Sequence, residues 1–538
     1  MSGGRPEGSL PVRFFPWAAS IATTAFATSR ARRHPLYRAL ALFSAGSAAV
    51  GLRDVLQAKH SVLRNYPLIG HARYILEDLR PEIQQYFIER NTDGAPFDRE
   101  TRTLVYQRAK GIHAKEPFGT ERDVYAEGYE WLRHSMAVLP LPETLPRVRV
   151  GGPDCTQPYD MALLNVSAMS FGSLSANAVE ALNRGAAMGG FAHNTGEGGL
   201  TEHHLHGGDL VWQLGSGYFG ARTLDGDFDP ARFRDQAERP AVKAIEFKLS
   251  QGAKPGLGGV MPAAKVTPEI AEIRGVPLGK DVLSPPWHTA FSTPLELVEF
   301  IARARELARG KPVGIKLCVG YRHEFLAICK AMLELDTTPD FITVDGSEGG
   351  TGAAPLEYSD TMGTPLTEGL MTVHNALVGA GLRDRIKVAA SGKIASGHAM
   401  VARMAIGADY TNAARSMMFA LGCIQAQECH TNRCPTGVTT QDPTRARALV
   451  VADKSVRVKQ FQQATVESAV QIMASMGAAH PDDLHPWMLV RRTATSAVNS
   501  YDELYDWLSP GQLLAMPPQG WEADWRRADM TSFAPTRR

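Results

Sequence analysis

The chain has 538 residues, long for one compact domain, so a folded core with attached segments is expected. Its 57 Lys and Arg against 56 Asp and Glu leave a formal net charge of +1, which argues against nucleic-acid binding through a global basic field. With 44% hydrophobic and 21% charged residues it reads as a neutral globular protein, and its six cysteines, three of them clustered, fit a reducing, cytoplasmic compartment better than a secreted disulfide framework.

Residues 1–60 read as a hydrophobic N-terminal arm. Two uncharged runs, Phe14–Ser29 and Ala39–Leu52, flank the basic stretch Arg30–Arg38. Each run is shorter than the ~20 residues a spanning helix needs. The arm is therefore either a membrane anchor or a packing helical arm, and the basic stretch belongs on the cytoplasmic side, which a simple hairpin carrying a cytoplasmic core does not satisfy. Residues 61–150 read as a helical wrapping segment, with Asp78–Arg90 as one amphipathic helix and Ala109–Gly119 as irregular chain.

From about residue 160, in the segment 151–480, short apolar runs alternate with helical stretches. The runs are Ala162–Ser167, Gly190–His193, Ile245–Leu249, Asp281–Leu283, Val313–Cys318, Phe341–Val344, Ile386–Ala390 and Asp409–Asn412. One intervening helix is marked by Thr293 as cap, Pro294 at the first position, a stripe of Leu297, Ile301, Ala304 and Ala308, and Gly310 as stop. Strand–helix alternation implies a parallel sheet, and eight repeats in about 290 residues suit a closed (β/α)8 TIM barrel. The remainder reads as helical, with Val466–Met476 stopped by Gly477 and a C-terminal tail over 481–538.

Cys423, Cys429 and Cys434 lie in a C-x5-C-x4-C run followed by Pro435. Thiolates delivered by a curling loop, with proline after the last, suit an iron–sulfur cluster. Three thiolates suit a three-iron cluster; a four-iron cluster needs Cys155, Cys318 or Cys329 as well. Zinc fits poorly, because structural zinc favours C-x2-4-C pairs.

Barrels that bind a flavin phosphate use the loops after their last two strands. Here those strands lead into Ser391-Gly392-Lys393 and Asn412-Ala413-Ala414-Arg415. Gly392 allows close backbone approach, and Lys393 and Arg415 can neutralise phosphate. Lys316 lies inside an apolar run, where an unpaired charge is costly; it reads either as a side chain snorkelling to solvent or as a cation beside a reduced flavin. The Gly-rich stretches Asn194–Gly199 and Gln251–Gly256 follow strands and hold Glu197 and Lys254 at the barrel mouth. Neither matches the phosphate loop of nucleotide hydrolases.

Met169-Ser170-Phe171-Gly172-Ser173-Leu174-Ser175, Asn194–Gly199, Ser250–Gly256, Gly350-Thr351-Gly352-Ala353-Ala354-Pro355 and Cys423 through Pro443 keep the order and spacing of one family. The chain resembles, over about half its length, the synthase domain of glutamate synthase, and as a whole the stand-alone FMN-binding glutamate synthase family. The resemblance implies FMN, a [3Fe-4S] cluster and reduction of a 2-imino acid formed from a 2-oxo acid and ammonia or an amine. By position it places Met169, Ser170, Gln251 and Lys316 at the flavin ring. It places Gly392, Lys393, Ala414 and Arg415 at its phosphate, and Cys423, Cys429 and Cys434 on the cluster. Glu197, Lys254 and Arg274 fall where the family handles the oxoacid: the two cations for a carboxylate, Glu197 for proton transfer.

The sequence departs from the family pattern at Leu257 and Val260, which stand where Glu and Gln occur. Val260 offers no hydrogen bond, which predicts weak use of 2-oxoglutarate. Ser391-Gly392-Lys393 stands in place of Asp-Gly-Gly. Met1-Ser2 supplies no N-terminal thiol for glutamine hydrolysis, and no GxGxxG follows a strand to open a dinucleotide-binding unit. Ammonia or an amine is then expected from outside, and electrons from a reductase subunit or ferredoxin. Two other readings remain open: a different FMN oxidoreduction on a small anionic substrate, and a membrane-tethered electron-transfer subunit.

Overall fold

The computed structural model describes residues 12–534; the Met1-Ser2 start lies outside them. The chain forms two compact units, Met1–Gly94 and Ala95–Arg538. The boundary falls inside the stretch 61–150.

In the first unit, helices Phe15–Arg30 and Pro35–Leu56 pack as an antiparallel pair. His34 caps the second helix by accepting from Leu36 N–H, and Pro35 fits its first turn, where an amide proton would go unused. Trp17 Nε1 donates to Ala48 O at 3.0 Å. Gly51 lies under that indole, where an added Cβ would stand 2.2 Å from Trp17 Cδ1. Buried Asp54 anchors the far end, accepting from Leu68 N–H and pairing with His71 at 2.9 Å. The uncharged run Ala39–Leu52 is too short to span, but the helix built on it extends through Arg38 and Arg53. At 22 residues it is long and apolar enough to cross a membrane. The helix expected at Asp78 starts earlier, at Gly70, and passes through Pro81 into a wider turn over Gln84–Ile88. Proline cannot donate the helical bond at that point, so the last turn loosens rather than stops.

The second unit is built on a closed, all-parallel eight-stranded barrel. Its strands are β1 (Leu164–Val166), β2 (His193–Asn194), β3 (Leu210–Leu214), β4 (Val242–Lys248), β5 (Val313–Leu317), β6 (Phe341–Asp345), β7 (Lys387–Ser391) and β8 (Tyr410–Ala413). Each pairs with the next, and β8 closes on β1 through Thr411 beside Leu164. Asp281–Leu283 is not a barrel strand. Val282 and Leu283 pair antiparallel with Met261 and Val260 in an outlying ribbon, with Leu283 exposed. The strand overlooked is Leu210-Val-Trp-Gln-Leu214, buried throughout and bounded by Gly207-Gly208 and Gly215. A five-residue run with Gln at its fourth position carries no periodic signal; inside the barrel that Gln donates to Glu246. Gly190–His193 contributes only its last residue to β2.

The Thr293 helix forms as its caps dictate: the Thr293 hydroxyl accepts from Glu296 N–H, and all four stripe residues are buried. The helix ending near Gly477 is longer than Val466–Met476, running over Val451–Ser475. It packs against helices Arg99–Ala109, Ala176–Gly189 and Gly397–Ala405, and Gln462 on it donates to Leu164 O at 3.0 Å. The tail is not all helix. Leu489–Ala494 and Ala497–Ser500 form a hairpin around Thr495-Ser496, and Glu130–Leu132 adds a third antiparallel strand.

Candidate active site

A cavity of about 470 Å³ opens at the C-terminal ends of the barrel strands. A parallel barrel aims all eight strand ends at one face, so residues remote in sequence converge there. Met169, Ser170, Glu197, Gln251, Lys316, Gly392, Lys393, Ala414, Arg415, Cys423, Cys429 and Cys434 all line it. Lys254 and Arg274 do not; both are buried behind its wall.

On one side, β7 and β8 deliver Gly392-Lys393 and Ala414-Arg415. Arg415 donates to Glu348 O at 2.8 Å, and its guanidinium stands 4.9 Å over the Phe97 ring. Burial lowers its pKa; burial and then the Arg415 charge lower that of Lys393. Two cations that repel one another across a cavity wall form a site for an anion. Gly350 leaves room for this arginine, since a Cβ there would lie 3.0 Å from Arg415 Nη1.

The three cysteines line a second wall. Their loop takes left-handed backbone at Gln425, Gln427 and Asn432, with φ of 58, 57 and 63°. Gln425, which carries no motif signal, holds the loop: its side chain accepts from Phe97 N–H and donates to Ala95 O and Phe97 O. Burial pushes the Cys423 thiol up to about 12. Burial also raises Cys434, but hydrogen bonds from Thr436 and Thr439 outweigh it and bring the thiol down to about 7. Lys265, buried nearby, donates to Thr439 O and Ser173 O and presents its charge to Cys429 and Cys434. Among the described residues no three His, Cys, Asp or Glu side chains converge tightly enough for a single metal ion. Cys155, Cys318 and Cys329 are free thiols outside the cavity lining.

The third region centres on Glu197. Its Oε1 lies 2.6 Å from Lys248 Nζ. Burial would raise this carboxyl, but Lys248, with Arg274 and Lys254, outweighs burial and holds it below its usual value. Gly215 and Gly259 leave space for the carboxylate; a Cβ on Gly215 would stand 2.1 Å from Glu197 Oε2. Lys254 is 2% exposed and, among the described residues, its Nζ has no hydrogen-bond partner. Arg274 donates to Phe171 O at 2.9 Å and lies 5.1 Å over the Phe219 ring; burial pushes it down to about 10. Three cations thus surround one carboxylate. Sequence reasoning missed Lys248, although it lies near the end of an apolar run as Lys316 does, and the two are register partners on β4 and β5. His288, pushed down to about 4 by burial, hydrogen-bonds Lys248 O at 2.9 Å and Tyr218 OH at 2.9 Å. Val260 lines the cavity from the outlying ribbon.

Lys316 is not snorkelling. It is buried, 3.2 Å from Asp345 Oδ2, which also accepts from Gly252 N–H at 3.1 Å.

A family model described as the conserved region in glutamate synthase matches residues 157–479. The glutamate synthase large subunit-like protein YerD of Bacillus subtilis (strain 168) is 37% identical over 499 residues, covering 85% of this chain and 94% of that one. An archaeal-type NADPH glutamate synthase of Thermotoga neapolitana is 34% identical over 314 residues, 58% of either chain. Among solved structures, a mandelate oxidase variant with benzaldehyde aligns over 74% of this chain and 98% of its own, at 16% identity and TM-score 0.41. With the match spanning the whole barrel and the YerD likeness nearly the whole chain, the protein belongs to the FMN-binding glutamate synthase family of oxidoreductases acting on CH–NH2 donors.

Proposed function

We propose that this protein reduces a 2-imino acid, formed from a small anionic 2-oxo acid and ammonia or an amine, to the amino acid. The observation that carries this reading is the Glu197–Lys248 pair at 2.6 Å with Lys254 and Arg274 buried behind it, against the same cavity as Lys316. The excess of cations there attracts a carboxylate substrate. Lys248 can give a proton at Nζ and recover it, with Glu197 holding the ammonium in place.

The cavity fits FMN on its own features: two mutually repelling cations on the β7 and β8 loops, and a buried lysine on β5. Lys393 and Arg415, with the backbone at Gly392 and Ala414, would hold the phosphate. Met169, Ser170, Gln251 and Lys316 would line the ring. When bound, FMN supplies the two electrons that reduce the carbon–nitrogen double bond. Cys423, Cys429 and Cys434 fit a [3Fe-4S] cluster: among the described residues there are three thiols, no fourth cysteine in the lining, no single-ion geometry, and Lys265 beside two of the thiols. Electrons would reach the cluster from a reductase subunit or ferredoxin. Helix Pro35–Leu56 has the length and composition to tether the chain to a membrane.

Val260 favours a second reading, a different FMN oxidoreduction on a small anionic substrate other than 2-oxoglutarate. Both readings are tested by reducing the flavin anaerobically and screening oxoacids, with and without ammonium, for reoxidation and amino-acid product. Reoxidation by an oxoacid that requires ammonium supports imine reduction. Reoxidation by an anion without nitrogen supports the second, and reoxidation only by protein carriers overturns both.

A further inference from the structure

Lys316 is the cation on the cavity wall that faces the flavin ring in the reading above, and it does not stand alone. Its ammonium lies 3.2 Å from Asp345 Oδ2. Lys316 is buried and Asp345 half-buried, at 7% and 14% side-chain exposure, and both line the cavity. The pairing is built by the barrel register. Lys316 on β5 sits beside Thr343 on β6, so Asp345 falls one strand period further on, at the end where the strand gives way to loop. The loop after β4 closes on the same carboxylate from above, through Gly252 N–H at 3.1 Å. Gly252 is confined there, because an added Cβ would stand 1.8 Å from Gly346 O.

One layer deeper in the barrel, Glu246 accepts from Asn194, Gln213 and Thr343 at 2.6–2.7 Å. It adds to the negative potential at Lys316, as does Glu197 from the substrate side. The ammonium is therefore held by one carboxylate in contact and flanked by two more. Lys248 is its neighbour across the β4–β5 register.

We propose that Asp345 is a positioning residue that fixes Lys316 and offsets its charge, lowering the midpoint potential of the bound flavin. A lone ammonium in a buried wall would stabilise the electron-rich reduced flavin and raise the potential. A carboxylate in contact with that ammonium cancels most of this field. The flavin then gives its electrons up more readily, as reduction of an imine requires. The inference rests on the flavin occupying this cavity beside Lys316.

The test is an anaerobic spectroelectrochemical titration of the purified, flavin-loaded full chain and its Asp345→Asn and Asp345→Glu variants. Flavin released from each is measured, and melting temperatures are recorded. Asp345→Asn keeps the shape and an acceptor for Gly252 N–H while removing the charge. It should raise the midpoint potential, by a shift equal to about tenfold in the oxidised-to-reduced ratio at fixed potential. Asp345→Glu should return the potential toward the parent value. Asp345→Ser provides a second neutral side chain if the Asn variant is poorly folded. An unchanged or lower midpoint in a flavin-loaded neutral variant overturns the proposal. So does a folded neutral variant that no longer retains FMN, which would make Asp345 a flavin-retention residue. Failure of both neutral variants to fold overturns it as well. If the parent chain itself releases no FMN, the fault lies with the cofactor reading and not with Asp345.

Discussion

On the proposed cofactor side of the cavity, Lys316, Gly392, Lys393 and Arg415 each lie within two residues of the end of a barrel strand. On the proposed substrate side, Lys254, Val260 and Arg274 ride on the long connection between β4 and β5. The strand-end residues all line the cavity, whereas Lys254 and Arg274 lie behind it. In a closed barrel, main-chain register leaves a strand-end side chain little freedom, so its position follows from its place in the strand. A connecting loop has no such ladder. Its charges settle where mutual electrostatics and burial allow, and here they settle around Glu197.

Breaking the cofactor side should have the largest effect. Cys429→Ser should remove the cluster altogether, so that anaerobic preparations fall from about three irons per chain to none; full iron content and an unaltered spectrum would exclude the thiol as ligand. On the substrate side, Lys254→Ala should lower turnover with any anionic substrate by roughly 10²-fold or more, because it strips a buried cation from a coupled charge cluster. FMN content should be unaltered. Normal turnover in this variant would place the loop outside the chemistry and favour the electron-relay reading.

Smaller effects sharpen the contrast. Arg415→Ala should weaken FMN retention by about 10- to 100-fold, the value of a charge-assisted contact, while the melting temperature of the apoprotein changes little. Val260→Gln should improve kcat/KM for 2-oxoglutarate by about tenfold or more through one restored hydrogen bond to a charged group; no gain would mean that the ribbon does not face the oxoacid. The smallest effect concerns pH. Glu197 is held below its usual 4.5, so its stabilising contribution is complete above that value and is lost as pH falls through the depressed one. Melting curves of Glu197→Gln and the parent should therefore differ at neutral pH and converge in acid. Convergence on the alkaline side instead would contradict the assigned shift.

Much of the fold was legible because its signals are local. Thr293-Pro294 with a four-residue stripe specified a helix, and most strands appeared as apolar runs ending in small or polar residues. β3 was not legible, because its interior Gln213 is polar only to meet Glu246, its register partner on the neighbouring β4. Val282-Leu283 misled for the converse reason: a short apolar pair signals extended chain, not which sheet it joins.

The chain's own residues determined the barrel class, the cysteine loop and the glycine and cation pattern on β7 and β8, since each depends on neighbours a few positions apart. Only the tertiary structure decided that Lys248 and not Lys254 contacts Glu197, that Arg274 lies behind the wall, and that Lys316 is held by Asp345. Those facts depend on which strands share a register and on charges brought within a few ångströms across a closed barrel, where burial makes an unpaired group too costly to leave alone.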